Sequence, residues 1–286
     1  MEITGARAVV TGGATGIGRG IALALADAGA AAIVIADVNR EKAERTAGEV
    51  AARGAEAEVQ ICDIRDRDAL EALADFAWGR MGGVDLLFNN AGVGRTALAF
   101  DLADDDIAWQ VEVNLIGTIQ GTRIFGRRMI AEPGRGWICN TASQAGISAR
   151  DPLLAAYTAT KHGIVGFTDA LRNEVGDRLG LSVLCPAVVA TDMWQSGMTR
   201  QAAFGGPFAG DPKAKVFMDR EGLDPDHVGR LAVEGVRDEL FWIWTQPFTI
   251  ELAEQRYAEQ RAASLHQWPA GDAGVERRAA YRPLGQ

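Results

Sequence analysis

Short apolar runs alternate with longer amphipathic stretches along residues 1–245 of the chain. The short runs are rich in β-branched residues and do not alternate in polarity, which is typical of strands covered on both faces. They predict strands at residues 8–11, 33–36, 59–62, 84–88, 137–141, 181–185 and 241–245. The amphipathic stretches predict helices at about 16–28, 39–54, 66–81, 105–131, 154–178, 225–237 and 249–265.

This alternation implies a parallel sheet with right-handed crossover connections. A chain of 286 residues suits one large α/β domain or at most two small ones. The predicted fold class is therefore α/β: a single-domain, Rossmann-type, doubly wound parallel seven-stranded sheet with helices on both faces and a C-terminal helical extension. We assign residues 1–267 to this domain, with an irregular helical flap at about 190–224, and residues 268–286 to a C-terminal tail.

A glycine-rich turn, TGGATGIG, joins the first predicted strand to the first predicted helix. Glycines let a backbone approach a pyrophosphate, and a helix N-terminus adds free N–H groups and the positive end of a dipole. The spacing is GxxxGxG rather than GxGxxG, and tight turns need glycine for other reasons too. Its place between strand and helix still predicts nucleotide binding. The candidate residues are Gly12, Thr15, Gly16, Ile17 and Gly18.

Asp37 ends the second predicted strand, 21 residues beyond Gly16. A carboxylate at this place can accept hydrogen bonds from the ribose 2′ and 3′ hydroxyls of an adenosine and would repel a 2′-phosphate. We therefore predict NAD(H) rather than NADP(H) as the cofactor. The alternatives are that Asp37 is a helix cap or turn residue, or that nearby Arg40 pairs with a 2′-phosphate.

Tyr157 and Lys161 lie four residues apart on a predicted helix, so their side chains share one face. A lysine ammonium beside a phenol favours the phenolate and lowers the pKa of the tyrosine. A tyrosine tuned in this way can act as acid or base at an alcohol or carbonyl oxygen. Taken alone, such a pair is usually a solvated helix face.

Several motifs now coincide, and the chain resembles the short-chain dehydrogenase/reductase family. The matching motifs are TGGATGIG at 11–18, Asn89-Asn90-Ala91-Gly92, Asn114, Ser143 and Tyr157-Thr158-Ala159-Thr160-Lys161. Their order and approximate spacing also match. The resemblance covers residues 3–192 well and extends more loosely to the end of the seventh predicted strand.

The resemblance implies four catalytic roles. Tyr157 is expected to be the general acid/base, and Lys161 to lower its pKa, bind the nicotinamide ribose and pass protons onward. Ser143 is expected to hold the substrate oxygen, and Asn114 to help hold a water in a proton relay. Without the resemblance, Ser143 could be a plain loop serine and Asn114 a helix-bending asparagine.

The resemblance also implies further cofactor contacts. Asp63 and Ile64 match the family residues that contact adenine, and Thr191 matches the residue that contacts the nicotinamide amide. The remaining candidate residues are Asn90, Ala91 and Gly92 in the cofactor wall, and Pro186 and Val189 beyond the sixth strand. Where the family often has Pro-Gly, this chain has Pro186-Ala187, and the loss of positive-φ freedom is expected to reshape the nicotinamide pocket.

These residues predict an NAD(H)-dependent oxidoreductase that interconverts a secondary alcohol and its ketone by hydride transfer. A hydrophobic cyclic or aromatic substrate fits best, because the flap is rich in apolar side chains and the C-terminal extension resembles members acting on bulky apolar or aromatic alcohols. The flap residues are Met193, Trp194, Met198, Phe204, Phe208, Phe217 and Met218. They could equally form a flap core or a subunit contact.

Two other classes remain open. One is a non-catalytic NAD-binding sensor or scaffold of the same fold, which the four intact catalytic positions disfavour. The other is a sugar-nucleotide epimerase or dehydratase, which also uses a YxxxK pair and NAD. Such enzymes usually have a larger C-terminal substrate domain than the stretch that follows Thr191 here.

The net charge limits the expected binding partners, and the cysteines indicate the redox compartment. Lys and Arg total 29 against 38 Asp and Glu, a net charge of −9, so nucleic acid and anionic membranes are not expected partners. Cys62, Cys139 and Cys185 fit neither a disulfide framework nor a metal site, and we expect buried thiols in a reducing compartment. No metal is expected.

No signal peptide or membrane-spanning stretch is evident, so the expected location is cytoplasmic. The partner is expected to be a small-molecule substrate. By resemblance to the family, we also expect a homodimer or homotetramer built through the helices at 105–131 and 154–178.

Overall fold

The computed structural model describes residues 1–148 and 152–267. Its central sheet has seven strands, all paired in parallel, in the order β3-β2-β1-β4-β5-β6-β7. The strands are β1 (Arg7–Thr11), β2 (Ala32–Asp37), β3 (Glu56–Ile61), β4 (Leu86–Asn89), β5 (Gly136–Thr141), β6 (Leu179–Cys185) and β7 (Trp242–Trp244). The predicted strands are thus confirmed, and none of their ends is shifted by more than three residues.

Helices cover both faces of the sheet. They are α1 (Gly16–Asp27), α2 (Arg40–Ala51), α3 (Arg67–Met81), α4 (Asp104–Gln110), α5 (Thr118–Ala131), α6 (Ala155–Val175), α7 (Pro212–Glu221), α8 (Pro225–Arg237) and α9 (Phe248–Gln267). One apolar core joins the sheet to α1, α2 and α8, and a second joins it to α3, α4 and α5. The doubly wound α/β fold is therefore confirmed.

Strand order reverses between β1 and β4, and this reversal fixes where a ligand can bind. β2 and β3 extend the sheet on one side of β1, while β4, β5 and β6 extend it on the other. The crossover helices therefore diverge and leave a crevice outside the carboxyl ends of β1 and β4. The glycine turn after β1 and the Asn89–Gly92 motif at the end of β4 both lie at this crevice.

The predicted helix over 105–131 is wrong in one detail. A π-helical segment, Val111–Gly117, separates α4 from α5 and contains Asn114. π-Helical turns inside helices occur frequently at functional sites. The predicted helix over 154–178 also ends early, because α6 stops at Val175 and a short 3₁₀ turn follows.

The segment from 190 to 224 is built from short helical pieces. Two 3₁₀ segments, Asp192–Thr199 and Ala202–Phe204, precede α7. A single parallel bridge between Val189 and Leu223 closes the base of the segment. We call this segment, residues 190–224, the flap.

The chain divides into two compact units, Met1–Gln246 and Pro247–Gln286. The first contains the whole sheet, and the second contains α9. The predicted division into a domain at 1–267 and a tail at 268–286 stays a prediction, because residues 268–286 lie outside the described residues. No helix within residues 1–148 and 152–267 is long and apolar enough to cross a bilayer.

Candidate active site

The glycine turn between β1 and α1 packs backbone directly against backbone. Gly12 (φ +62°) and Gly16 (φ +56°) adopt left-handed conformations that L side chains rarely occupy. A Cβ on Gly12 would lie 2.7 Å from the Cα of Ala91, and one on Gly18 would overlap the Gly12 carbonyl oxygen. Glycine is therefore required at these positions for close packing, whatever the turn binds.

The N-terminus of α1 opens at this turn and fits an anionic group. Thr15 is the N-cap residue but its side chain makes no capping hydrogen bond, and the first turn of α1 contains no acidic residue. Ile17 packs against the core and anchors the start of the helix. The first N–H groups of α1 and its positive dipole end are thus suited to a phosphate.

Replacing Gly18 with alanine is expected to lower the free energy of unfolding by about 1–3 kcal/mol, because the new methyl group must displace the Gly12 carbonyl. It should also weaken nucleotide binding, since that carbonyl shapes the turn. Gly48→Ala is the matched control: Gly48 lies in α2 with no atom within 4 Å of its Cβ position. The control should raise stability by roughly 0.5–1 kcal/mol. Chemical denaturation of both variants measures this, and equal effects would contradict it.

Asp37 lies beside the glycine turn at the end of β2. Its Oδ2 accepts a hydrogen bond from the Ala14 N–H (3.1 Å) and its Oδ1 accepts one from the Asn39 N–H (2.9 Å). Burial raises the pKa of Asp37, and these N–H groups partly oppose that shift. Arg40 does not join it, because its exposed guanidinium pairs with Glu44 at 3.5 Å. The carboxylate is thus held in a fixed position at the cleft.

Asp63 and Ile64 follow β3. Arg65 pairs with the carboxylate of Asp63 at 2.6 Å, and the Gln201 side chain of the flap donates to it at 3.0 Å. The Arg65 guanidinium also lies 5.0 Å from the centre of the Phe204 ring. Ile64 is buried. The sequence did not predict these flap contacts. The contact of Asp63 and Ile64 with adenine stays a prediction.

The Asn90–Gly92 wall is joined to the glycine turn by hydrogen bonds. The backbone N–H groups of Asn90 and Ala91 donate to Thr11 Oγ1 at 3.0 and 3.2 Å. The Asn90 side chain donates to the Gly12 carbonyl at 3.4 Å. These bonds fix the two walls of the crevice relative to each other.

Asn114 is fully buried, and its side chain joins three segments. Its Oδ1 accepts from the Val93 N–H (2.8 Å), and its Nδ2 donates to the Val93 carbonyl (2.9 Å) and to Thr160 Oγ1 (3.2 Å). Its backbone carbonyl accepts from Thr118 Oγ1 at 2.8 Å. The side-chain amide is thus committed to protein groups, and a water held by Asn114 would have to use the second lone pair of that carbonyl.

Lys161 is buried beneath the tyrosine that shares its helix face. Its ammonium donates to the Thr141 carbonyl at the end of β5 (2.9 Å) and lies 5.5 Å from the centre of the Tyr157 ring. A Cβ on Gly92 would come within 3.6 Å of the same nitrogen. Burial lowers the pKa of Lys161 to about 8. Asn114, Tyr157 and Lys161 thus lie close together in the crevice. Thr160 is hydrogen-bonded to both Asn114 and Tyr157, and Gly92 lies beside both Asn114 and Lys161.

Ser143 follows β5 by two residues and caps a short 3₁₀ turn. Its Oγ accepts from the Ala145 N–H (3.1 Å) and donates to the Pro186 carbonyl (3.4 Å). Ser143 is half-buried. It therefore lies between the strand end that holds Lys161 and the loop that follows β6.

The loop after β6 carries the last predicted cofactor residues. Val189 is buried in the bridge to Leu223, and a Cβ on Gly16 would lie 3.0 Å from the Thr191 methyl, so Thr191 adjoins the glycine turn. Ala187 has no positive φ; among the described residues only Leu153 and Glu239 do so without being glycine. The loop therefore does not use the conformational freedom that alanine lacks.

The apolar flap residues have different surroundings. Phe208 packs edge-on against buried Trp109 and is covered by Arg95 and Arg200, while Phe204 lies under Arg65. These two phenylalanines form a flap core, and the apolar-pocket interpretation is wrong for them. The side chains of Met198 and Phe217 are exposed.

Two flap residues do lie at the crevice. Trp194 lines a cavity of about 210 Å³ together with Gly16 and Thr191. The Met193 sulfur would lie 3.6 Å from a Cβ on Gly94, just beyond the cofactor wall. Met193 and Trp194 therefore remain the apolar candidates beside the site.

Backbone groups at the site were not identifiable from the sequence. The Thr141 carbonyl and the Val93 peptide groups hold Lys161 and Asn114, yet any residue type can supply them. The buried ion pair between Arg200 and Asp106, which holds the flap to α4, also lacked a spacing signal because its partners lie far apart in the chain. Cys62, Cys139 and Cys185 are buried free thiols.

Comparison with known proteins gives this arrangement a family. A family model for short chain dehydrogenase matches residues 6–202. D-threitol dehydrogenase of Mycolicibacterium smegmatis is 37% identical over 82% of this chain and 86% of its own length. The probable oxidoreductase EphD of Mycobacterium tuberculosis is 38% identical over 64% of this chain, which spans only 31% of that longer protein.

A solved structure extends the likeness beyond the family model. The crystal structure of a short-chain dehydrogenase/reductase from Burkholderia phymatum in complex with NAD superposes with a TM-score of 0.85 at 32% identity, covering 92% of this chain and 96% of that one. The family resemblance seen in the motifs is therefore confirmed. With its doubly wound sheet, its glycine turn and its Tyr157–Lys161 pair, this chain belongs to the short-chain dehydrogenase/reductase family of oxidoreductases.

Proposed function

We propose that this protein is an NAD(H)-dependent oxidoreductase that interconverts a secondary alcohol and its ketone. The observation that carries the proposal is the buried Lys161 ammonium, which is held by the Thr141 carbonyl 5.5 Å from the Tyr157 ring. A buried cation close to a phenol favours the phenolate. That property suits proton transfer at a hydroxyl or carbonyl oxygen.

The nicotinamide ring, when bound, supplies the hydride acceptor or donor. Tyr157 takes the proton from the alcohol hydroxyl, and in the reverse direction returns it to the carbonyl oxygen. Ser143 donates a hydrogen bond to the same oxygen and orients the substrate. Lys161 stabilises the phenolate, and the Asn114 carbonyl holds a water through which the proton leaves.

The residues of the crevice fit a dinucleotide. The glycine turn admits no side chain at Gly12 or Gly18, the N-terminus of α1 is free of acidic residues, and Asp37 is fixed beside both. We propose that NAD is the bound form. The Burkholderia phymatum relative, which is described as a complex with NAD, supports this choice.

Replacing Asp37 with asparagine is expected to move cofactor preference toward NADP⁺. The change removes the charge that repels a 2′-phosphate and weakens two ribose hydrogen bonds. A charge-assisted hydrogen bond contributes about 1.5–3 kcal/mol. The ratio of kcat/KM for NAD⁺ to that for NADP⁺ should therefore fall roughly 10- to 100-fold.

Steady-state kinetics with both cofactors measures this ratio. Asp27→Asn is the control, since Asp27 ends α1 and pairs with Arg53 on the surface. The control should leave the ratio unchanged. An unchanged ratio in the Asp37 variant would refute the ribose-binding role.

For the substrate we propose a hydrophobic cyclic or aromatic secondary alcohol or its ketone. The support comes from Met193 and Trp194 beside the crevice, together with the weaker likeness of the C-terminal extension to members of that specificity. D-threitol dehydrogenase, by contrast, is named for a small polyol. A substrate panel should therefore include D-threitol together with alicyclic and aromatic secondary alcohols.

The test of the proposed function is NADH formation from NAD⁺ across that panel, and NADH consumption with the matching ketones. Turnover of apolar alcohols above D-threitol supports the function and its substrate class. Preference for D-threitol would refute the apolar substrate while keeping the reaction. NADH binding without turnover in either direction would instead favour a cofactor-binding sensor.

We further propose that the chain acts as a homodimer or homotetramer in the cytoplasm. Large apolar side chains lie exposed just before and within α4: Phe100 is fully exposed, and Leu98 and Ile107 are exposed to 59% and 38%. Such a patch favours contact with another protein surface. Sedimentation equilibrium of the purified chain measures the oligomeric state, and a monomer would contradict it.

A further inference from the structure

The loop that follows β6 begins where the backbone hydrogen bonds of the sheet end. The β6–β7 ladder ends with Cys185 opposite Trp244. The next residue, Pro186, has no N–H with which to extend the ladder. Yet the loop, residues 187–191, contains Val189 and Thr191, which the proposed function places against the cofactor. Other groups must therefore fix this loop.

Gln246, two residues beyond β7, supplies side-chain hydrogen bonds to the loop where the ladder ends. Its Oε1 accepts a hydrogen bond from the Ala187 N–H at 3.0 Å, and its Nε2 donates to the Val188 carbonyl at 2.9 Å. A side-chain amide offers a carbonyl oxygen as acceptor and an NH₂ group as donor, so it can pair with a backbone N–H and a backbone carbonyl at once. Only one orientation of the amide satisfies both partners, so Gln246 acts as one further rung of the sheet.

The opposite side of the loop contacts Ser143 and its neighbour Gln144. The Pro186 carbonyl accepts from the Gln144 N–H at 2.7 Å and from Ser143 Oγ at 3.4 Å. Leu223 supplies the third support, because its N–H also donates to the Val188 carbonyl, at 3.0 Å. The loop is thus held between Ser143 on one side and Gln246 on the other. A shift at Gln246 would be transmitted to both Ser143 and Thr191.

We propose that Gln246 is a positioning residue for the nicotinamide half of the cofactor site. It touches neither substrate nor cofactor; it sets the depth of the 187–191 loop and thereby the geometry of hydride transfer. This inference rests on the proposed NAD-dependent function. A purely structural role for Gln246 would lower stability without any selective effect on the nicotinamide half.

Gln246→Met is the principal test, because methionine has similar length and can make neither hydrogen bond. Misplacement of reacting groups by about 1 Å can cost 10²-fold in rate. We expect kcat to fall by up to about 10²-fold, with a larger primary deuterium isotope effect from a deuterated alcohol. NADH should bind more weakly, whereas ADP-ribose, which lacks the nicotinamide, should bind as it does to the unaltered protein.

Gln246→Glu provides an independent test that does not depend on how the methionine variant folds. Its ionised carboxylate can still accept from the Ala187 N–H but opposes the Val188 carbonyl with a second oxygen. Protonation restores a donor. The affinity for NADH relative to ADP-ribose should therefore be reduced at neutral pH and should approach the value of the unaltered protein as pH falls. A structural role alone would give no such recovery.

Ser182→Ala is the matched control. Ser182 lies in β6 and donates to the Leu240 carbonyl at 2.6 Å, so it also links β6 to the chain that leads into β7, but it does not contact the 187–191 loop. This variant should lose stability and keep both the NADH to ADP-ribose affinity ratio and the isotope effect.

The outcomes separate this inference from the function on which it rests. Unaltered protein that binds neither NADH nor ADP-ribose would overturn the proposed function together with the inference. Normal binding by the unaltered protein, with the same affinity ratio and isotope effect in Gln246→Met, would overturn the inference alone. Equal weakening of NADH and ADP-ribose in that variant would also overturn it, since the effect would not be confined to the nicotinamide half.

Discussion

Replacing Tyr157 with phenylalanine is expected to remove nearly all turnover while leaving NADH affinity unchanged within about twofold. General acid/base catalysis contributes roughly 10²–10⁴-fold to rate, and the phenol oxygen is the group in this crevice proposed to exchange the substrate proton. The substitution deletes one oxygen and keeps the ring, which lies 5.5 Å from Lys161 Nζ. Packing of α6 should therefore survive, and kcat/KM should fall by about 10³-fold or more.

The measurement combines steady-state kinetics with NADH fluorescence titration. Tyr257→Phe is the matched control, because Tyr257 is an exposed tyrosine on α9. The control should retain full activity. Turnover retained within tenfold in the Tyr157 variant would refute the assignment of the acid/base, whereas loss of NADH binding along with activity would indicate damage to the fold.

Replacing Lys161 with methionine is expected to abolish activity and, below pH 8, to stabilise the protein. Activity falls because the phenolate of Tyr157 loses the cation that favours it. Stability rises because burial of the ammonium is unfavourable, as its lowered pKa of about 8 shows. A shift of this size corresponds to about 3 kcal/mol. Loss of the hydrogen bond to the Thr141 carbonyl offsets part of the gain, which leaves about 1–2 kcal/mol.

The pH dependence follows from the direction of that shift. In the unfolded chain Lys161 titrates near its ordinary pKa of 10.5, and in the folded protein near 8. Between these values the unfolded state binds more protons, so the unaltered protein gains stability as pH rises from about 8 to 10.5. Below pH 8 both states are protonated and the full destabilisation is present. The stability advantage of Lys161→Met should thus be largest below pH 8, should shrink as pH rises, and should reverse by pH 10.5, where neutral Lys161 keeps its hydrogen bond to Thr141 without the cost of burying a charge.

Urea denaturation across this pH range tests the expectation. Lys213→Met, at an exposed position in α7, is the control and should show no pH-dependent difference from the unaltered protein. A Lys161→Met protein that is less stable at neutral pH would contradict the expectation, because it would mean that the hydrogen bond outweighs desolvation. Retained turnover would contradict the catalytic role independently.

The sheet was predictable because its physical cause is local. A strand such as β5, buried along its whole length, is mostly apolar, and its central apolar residues showed this without any knowledge of its neighbours. Helix caps were equally local: Asn39 accepts from the Lys42 N–H three residues later, as a capping asparagine should. Family motifs added Asn114, Ser143, Tyr157 and Lys161, and the structure brings three of these together through Thr160 and Gly92.

Other features depended on partners that lie far apart in the chain. The π-helical segment at Asn114 has no distinctive composition, since its geometry is supported by the Val93 peptide on another loop. Aromatic residues in the flap suggested an apolar substrate pocket. Phe208 instead packs against Trp109 and two arginines. An apolar side chain fits a core or a ligand pocket equally well, so composition could not separate them.

By itself, then, the sequence determined the alternating strands and helices of the fold, the glycine turn, the place of Asp37 at the end of a strand, and the Tyr157–Lys161 pair. Each of these depends on spacing along the chain. Only the tertiary structure decided that Lys161 is buried against the Thr141 carbonyl, that Asp63 is engaged by Arg65 and the flap, and that Gln246 replaces the rung missing at Pro186. These features arise from backbone groups and side chains that meet across elements. Hydrogen bonds and desolvation depend on distance in space, and residue order specifies that distance only after the chain has folded.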